Sequence, residues 1–450
     1  MLRLSDTAVG HPVELSSRDR GRFGMYICGV TVYDVPHIGH GRMALVFDVL
    51  RRYLEWTGLD VHHVSNITDI DDRIIQRAIA DGVTTEAITE RYEAAWWDAV
   101  DALGVRRPDA DPHATAYVDG MVELVARLVA NGSAYETADG VYLSVATVPD
   151  YGLLARQPLE SLRAGARVDV DTAKRSPLDF ALWKLAKPGE PRWPSPWGEG
   201  RPGWHTECVV MSLGLLGEGF DLHGGGLDLA FPHHENERAQ ALADGRTFAG
   251  HWVHNGMVEV GGEKMSKSLG NYTSLTDLLA SNDGRTYRLL VLQSHYRAPV
   301  EITPRTLKAA ANTIAGLDDL ARRSADLPEA AAEPEVMARF RAAMDDDLDT
   351  PAVMALVADV RRRANAALQA GSAAEAAPLR AALAEMTDAL GLVLAWARDE
   401  IPVEVEALAN RREAARRARD FAAADGLRSD LAARGWVVED TPQGPRLHRA

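Results

Sequence analysis

His37-Ile38-Gly39-His40 and Lys264-Met265-Ser266-Lys267-Ser268 are the stretches of this chain whose residue types could manage a polyphosphate. The first sits between a predicted strand and a predicted helix, where unsatisfied amide donors and the positive helix end favour an anion such as a triphosphate. His37 and His40 would add ring donors, and Gly39 would let a ligand approach the backbone. Read alone, the two histidines could equally be a cap and a surface residue. In the second stretch, Lys264 and Lys267 lie in a glycine-bounded loop and could swing onto a pentavalent phosphate or a leaving pyrophosphate, stabilising charge that develops in the transition state. A solvated basic turn is the ordinary alternative for that spacing.

A third group consists of Cys28, Cys208, His233 and Glu237, all ligand types that zinc accepts. His233 and Glu237 are four residues apart, which predicts a shared helical face. A free cysteine is more often a small buried hydrophobe, and a His/Glu pair more often a helix-surface contact. Yet both cysteines of the chain fall beside the phosphate-type loop or near the His/Glu helix. Gly224-Gly225-Gly226 with Asp228 makes a glycine-rich loop, which by itself marks a turn. Asp69, Asp71 and Asp72 read as acids at a helix N-terminus.

Positioning these groups takes a mixed fold. Residues 24–34 read as a buried strand, 39–58 as an amphipathic helix and 61–69 as a second strand, which predicts a crossover unit in a parallel sheet. Residues 85–130 are helical in pattern, 141–145 strand-like, and 158–202 rich in Pro, Gly, Arg and Trp, predicting loops around a site rather than sheet. Strand-like FDLHGGG and GMVEVGG follow. Beyond about residue 305 apolar residues recur every three or four positions. The predicted class is α/β: a Rossmann-type parallel-sheet domain over residues 1–305 with an insertion at about 110–200, an α-helical bundle over 306–400, and a small unit over 401–450 ending in a hairpin.

The 450 residues carry Lys+Arg 49 against Asp+Glu 65, a net charge of −16, which excludes a uniformly basic nucleic-acid coat and leaves local basic patches as the means of holding a polyanion. In RREAARRARDF, Arg411, Arg412, Arg416, Arg417 and Arg419 form such a patch, or a solvated helix face. No apolar run of about 18 residues could cross a bilayer, the first residues lack a signal-type apolar core, and two distant cysteines make no disulfide framework. A cytoplasmic location without membrane contact is expected. Oligomeric state stays open, a monomer being the simplest expectation.

CGVTVYDVPHIGHGR, NITDIDDRII, GRPGWHTEC, FDLHGGGLDLAFPHHENERAQ and KMSKSLGN resemble the cysteinyl-tRNA synthetase family of class I aminoacyl-tRNA synthetases, across nearly the whole chain. The resemblance implies one zinc per subunit on Cys28, Cys208, His233 and Glu237, with the substrate's thiolate as a further ligand. It implies ATP with its Mg2+, the glycines 224–226 admitting adenosine and Asp228 accepting from the ribose. Gly39 and Lys267 would then contact ATP, with His37, His40, Lys264 and Lys267 as the catalytic groups. Gly29, Thr31, Thr68 and Trp204 would line the L-cysteine pocket, and His234 and His254 would approach the nucleotide. The implied reaction forms cysteinyl-adenylate and then charges the 3′ end of tRNA(Cys). Residues 250–305 would meet the acceptor stem and Arg411, Arg412, Arg416 and Arg417 the tRNA near its anticodon. A soft cation separates a thiol from a serine hydroxyl where an apolar pocket could not, which accounts for the lack of an evident editing domain. Gly41, where Ala is usual, Val209 and Val210 after Cys208, and a terminus without an aromatic ending depart from the pattern. The competing expectation is a mycothiol-pathway ligase that passes cysteine to an aminosugar-inositol, which needs no basic terminal unit. A zinc hydrolase is disfavoured because four protein ligands leave no evident place for an activated water.

Overall fold

The computed structural model describes residues 1–156, 174–260, 263–264, 273–396, 401–441 and 444–449. Two short strands, β1 (Arg3–Ser5) and β2 (Pro12–Glu14), pair antiparallel. They precede β3 (Arg22–Thr31), whose interior is buried on both faces, as a parallel strand between helical layers requires. Helix α1 (Ile38–Trp56) then leads to β4 (Asp60–Thr68), parallel to β3. After α2 (Asp72–Asp81) and α3 (Thr85–Ala102), α4 (Val118–Ala130) opens the inserted region. There β5 (Ala134–Glu136), β6 (Gly140–Leu143), β7 (Phe180–Leu185) and β8 (Gly200–Pro202) form an antiparallel sheet. This corrects the expectation of loops over 158–202. Trp183 of β7 is wholly buried, and Pro177 and Pro188 bracket the strand rather than interrupt it. Residues 157–173 lie outside the described residues.

Helix α5 (Trp204–Leu216), β9 (Leu222–Gly226), α6 (Glu235–Ala243) and β10 (His251–Asn255) return the chain to the main sheet. Its order is β10-β9-β3-β4, parallel throughout. Chain order switches at β3, which has β4 on one side and β9 on the other. A ligand crevice is expected at the carboxyl ends of strands at such a point.

Strands β11 (Val258–Val260) and β12 (Glu263–Lys264) come next, then α7 (Leu275–Ser281), α8 (Gly284–Leu292) and β13 (Val300–Glu301), which pairs with β11. The bundle comprises α9 (Pro304–Arg323), α10 (Pro334–Asp345), α11 (Thr350–Gln369) and α12 (Ala373–Ala389). Helices α13 (Val403–Arg417) and α14 (Phe421–Ala433) and the antiparallel strands β14 (Trp436–Thr441) and β15 (Gly444–Arg449) close the chain. One apolar core runs from the main sheet under α1 into the bundle, and a second, containing both cysteines, lies beneath the insertion. Arg288 of α8, buried, joins α1 to the bundle by donating to Asp48 (2.7 Å) and to the Leu390 carbonyl (3.1 Å). Burial alone would raise the Asp48 pKa, but the guanidinium groups of Arg288 and Arg52 hold it below its ordinary value. No helix among the described residues is long and apolar enough to cross a membrane.

Candidate active site

A cleft of about 340 Å³ opens at the carboxyl ends of β3, β9 and β10, against the start of α1. The β3–β4 ladder slips between Ile27 and Val30, which takes Cys28 and Gly29 out of regular pairing. A Cβ on Gly29 would stand 1.6 Å from the Asn66 carbonyl oxygen, so this close approach requires glycine. The Gly29 N–H donates to Asn66 Oδ1 (2.9 Å).

The first phosphate-type stretch caps α1 with its own histidines. His40 N–H donates to His37 Nδ1 and His37 N–H to His40 Nδ1, each at 3.3 Å, and the rings stack 3.6 Å apart. Because each Nδ1 accepts, the neutral rings carry their proton on Nε2, so both present an N–H donor on that edge. His37, Gly39 and His40 all line the cleft. At Gly41 a Cβ would lie 3.0 Å from Leu275 and 3.2 Å from Tyr287, which gives a packing reason for the missing alanine methyl.

Behind the cleft, Cys28, Cys208, His233 and Glu237 converge, all buried. The sulfurs are 3.7 Å apart, Cys28 Sγ is 3.5 Å from Glu237 Oε1, and His233 Nε2 is 3.7 Å from Cys208 Sγ and 3.0 Å from Glu237 Oε1. Tetrahedral zinc, with bonds of about 2.3 Å to sulfur, needs a sulfur–sulfur edge of about 3.8 Å, so the donor set fits that ion. His233 stands in the irregular turn at Ala230–His234 rather than in α6, because Phe231 departs from helical dihedrals, yet its ring still meets Glu237. Burial holds His233 well below its ordinary pKa and pushes both thiols up, so the imidazole is neutral. Its Nδ1 faces Nδ1 of His205 at 2.8 Å. Were Nε2 to bind a metal through its lone pair, the ring proton would sit on Nδ1 and donate to His205. On the other side His223 Nε2 donates to Glu237 Oε2 (2.8 Å), fixing the carboxylate. Trp204 stacks on His233 with ring centres 4.1 Å apart and also lines the cleft, so it joins pocket wall to donor cluster.

Gly29, Thr31, Trp204, Gly226 and Asp228 line the cleft. Four expectations change. A Cβ on Gly224 would meet Phe47 at 2.5 Å and one on Gly225 His234 at 3.1 Å, so packing around β9 requires these glycines, and of the three only Gly226 lines the cleft. Thr68 lies behind the cleft with its hydroxyl engaged, donating to Glu207 Oε2 (3.0 Å) and accepting from Asn66 Nδ2 (3.1 Å). It positions Asn66, and through it Gly29. His234 and His254 are buried against each other (2.8 Å), and His254 pairs onward with Thr7 (2.7 Å). Arg412 is 4% exposed and bound through both terminal nitrogens to Asp440, which also takes Arg416. Its position on the inner face of α13 removes it from the basic surface, where Arg411, Arg417 and Arg419 are exposed. Val209 and Val210 turn into the second core rather than the cleft. The side chain of Lys264 and all of Lys267 lie outside the described residues.

Arg73 gives no signal in the sequence, where its motif stands out for its acids. Its guanidinium, held by Asp71 (2.7 Å), lies over the Tyr33 and Trp204 rings and donates to Thr31 Oγ1 (3.2 Å), placing a cation in the cleft. Asn255 and Met257, at the end of β10, complete the far wall.

Residues 14–312 match the tRNA synthetases class I (C) catalytic domain, 339–395 a DALR domain, and 398–445 the cysteinyl-tRNA ligase anticodon binding domain. A cysteine–tRNA ligase of Halorhodospira halophila is 46% identical, covering 100% of both chains, and one of Photobacterium profundum is 43% identical with the same coverage. Among solved structures, a Mycobacterium tuberculosis methionyl-tRNA synthetase with methionyl-adenylate matches at a TM-score of 0.60 and 17% identity, covering 82% of this chain and 89% of that one. That last likeness is one of fold.

Proposed function

We propose how the cleft divides its work from the premise that this chain belongs to the cysteine–tRNA ligase family, class I aminoacyl-tRNA synthetases. It is a ligase that joins cysteine to tRNA with ATP. ATP lies along Gly226 and residues 255–258, bringing its Mg2+, and Asp228 accepts from the ribose hydroxyls. His37 and His40 donate Nε2–H to the phosphates, and Lys264 and Lys267 are assigned to the same phosphates. Cysteine lies between Gly29, Thr31 and Trp204, its carboxylate directed to the α-phosphorus. Attack forms cysteinyl-adenylate and releases pyrophosphate, and a terminal ribose hydroxyl of the tRNA then attacks the acyl carbon, breaking the carboxyl–phosphate bond and releasing AMP. Positioning and charge stabilisation suffice, with no side-chain nucleophile.

Cys28, Cys208, His233 and Glu237 would hold zinc, which when bound offers the substrate's thiol a soft cation that a hard, weakly acidic serine hydroxyl exploits poorly. The observation that carries this reading is four buried donors at tetrahedral spacing, joined through Trp204 to a cleft capped by two histidines. Its test is ATP–pyrophosphate exchange with each amino acid in turn. Cysteine should support it, and serine at equal concentration should give less than about 1% of that rate. Serine rivalling cysteine would sink the metal-selection reading.

The matched anticodon-binding domain disfavours an aminosugar acceptor. Exposed Arg411, Arg417 and Arg419 are proposed to meet tRNA phosphates. Replacing Arg411 and Arg417 together by alanine should raise the KM for tRNA about fivefold or more, with a shallower salt dependence. Exchange, which needs no tRNA, should be untouched, and a parallel loss of exchange would refute the assignment. A monomer working in the cytoplasm completes the proposal.

A further inference from the structure

Two residues beyond His40, Arg42 is fully buried (0% exposed), and every hydrogen bond it donates among the described residues goes to a backbone carbonyl. Burial pushes its guanidinium down to about 10. A buried cation without a carboxylate partner is costly, so its retention calls for a geometric gain. Nη1 donates to the Met257 carbonyl (2.6 Å), while Nη2 donates to those of Tyr296 (3.1 Å) and Ala298. Met257 lines the cleft and immediately precedes β11, and its carbonyl also accepts from Val300 N–H (3.1 Å). Strand β11 pairs with β12, which ends at Lys264, the first residue of the lysine stretch. Downstream of that stretch, Leu275 N–H donates to the Pro36 carbonyl (2.8 Å) and Ile38 N–H to that of Thr273 (3.3 Å). Both flanks of the lysine stretch are therefore tied to residues around the histidine stretch, the downstream flank by backbone pairing and the upstream flank through Arg42.

We infer that Arg42 is a positioning residue for adenylate formation, holding β11, the upstream flank of the lysine stretch, in register with the histidine stretch. This rests on the assignment of those stretches to ATP. Lysine could not reproduce it, because a single ammonium lacks the planar fork that reaches two chain segments at once. Gly256 belongs to the same joint: its N–H donates to the Tyr296 carbonyl (2.8 Å), and a Cβ there would lie 2.4 Å from the Arg297 carbonyl oxygen.

The experiment measures cysteine-dependent exchange, cysteine affinity and bound zinc for the whole chain and for Arg42→Lys, with Gly256→Ala as a second variant that opens the same joint while keeping the charge. Each should lose about 30-fold or more in kcat, with cysteine affinity and zinc content within about twofold of wild type. A kcat within about threefold of wild type in both variants overturns the inference, as does a fall in cysteine affinity matching that in kcat. If Arg42→Lys does not fold, Gly256→Ala decides alone by the same thresholds together with the KM for ATP, because Gly256 lines the cleft: a rise in that KM matching the fall in kcat/KM, with kcat preserved, overturns the inference. Wild type and Lys267→Ala run alongside: exchange that needs no cysteine, or that ignores Lys267, defeats the ATP assignment itself. With those controls as expected, a normal kcat removes only the role given to Arg42.

Discussion

Cys28→Ala should leave the purified chain without stoichiometric zinc and lower kcat/KM for cysteine in exchange by about 10³-fold, equivalent to about 4 kcal/mol. The size follows from where Cys28 sits. Among the described residues the buried donors group in two ways, Cys28 with Cys208, His233 and Glu237, or Cys28 with His223, His234 and Glu237. Cys28 and Glu237 are common to both, so removing Cys28 spoils each set. Cys208→Ala breaks only the first and should keep more metal at saturating zinc while losing most of the preference for cysteine over serine. Packing cannot imitate this pattern. Each change deletes one buried sulfur, which costs stability on the order of 1 kcal/mol, and with metal stripped from both the two chains should unfold at similar temperatures. Elemental analysis after dialysis and exchange with each amino acid provide the check. Full zinc and an unchanged cysteine preference in Cys28→Ala would show that the donor cluster is only a packed core.

What could be read from the sequence depended on whether a residue's role was local. The two phosphate-type stretches and the donor set stand out because histidines, cysteines and clustered glycines are informative at short range, and the first strand, helix and second strand follow from apolar pattern alone. Gly224 and Gly225 resisted, since their need for glycine comes from Phe47 and His234, which folding brings to them. Thr68 is close to the cleft, but its hydroxyl faces Glu207 on α5 and Asn66. Arg412 is one arginine in a basic run, and only the pairing of α13 with the terminal hairpin turns it onto Asp440. Arg42 and Arg73 show the converse: charged side chains default to a solvated face, so neither the burial of Arg42 nor the place of Arg73 in the cleft wall gives a local signal. Strand β7 was obscured because the prolines that read as loop lie at its flanks.

His40→Asn should lower kcat for exchange by about 10²-fold to 10³-fold while changing the KM for ATP and the affinity for cysteine little. The substitution separates two tasks that the ring performs together. As a cap, His40 accepts the His37 N–H through Nδ1, a contact the asparagine carbonyl can imitate, so the stability change should stay within about 1 kcal/mol. As a donor, it presents Nε2–H from the far edge of the ring, which the shorter amide cannot reach. Charge on the phosphate oxygens grows as the pentavalent centre forms, so a lost donor weakens the transition state more than bound ATP. Lys267→Ala should produce a loss of similar size. Combining the two should cost less than the product of the single losses, because both groups brace one phosphate and neither holds it well alone. Should His40→Asn instead raise the KM for ATP in proportion to its fall in kcat/KM, with kcat preserved, the histidine would be binding the ground state, and the register between the two stretches would have to serve affinity rather than rate.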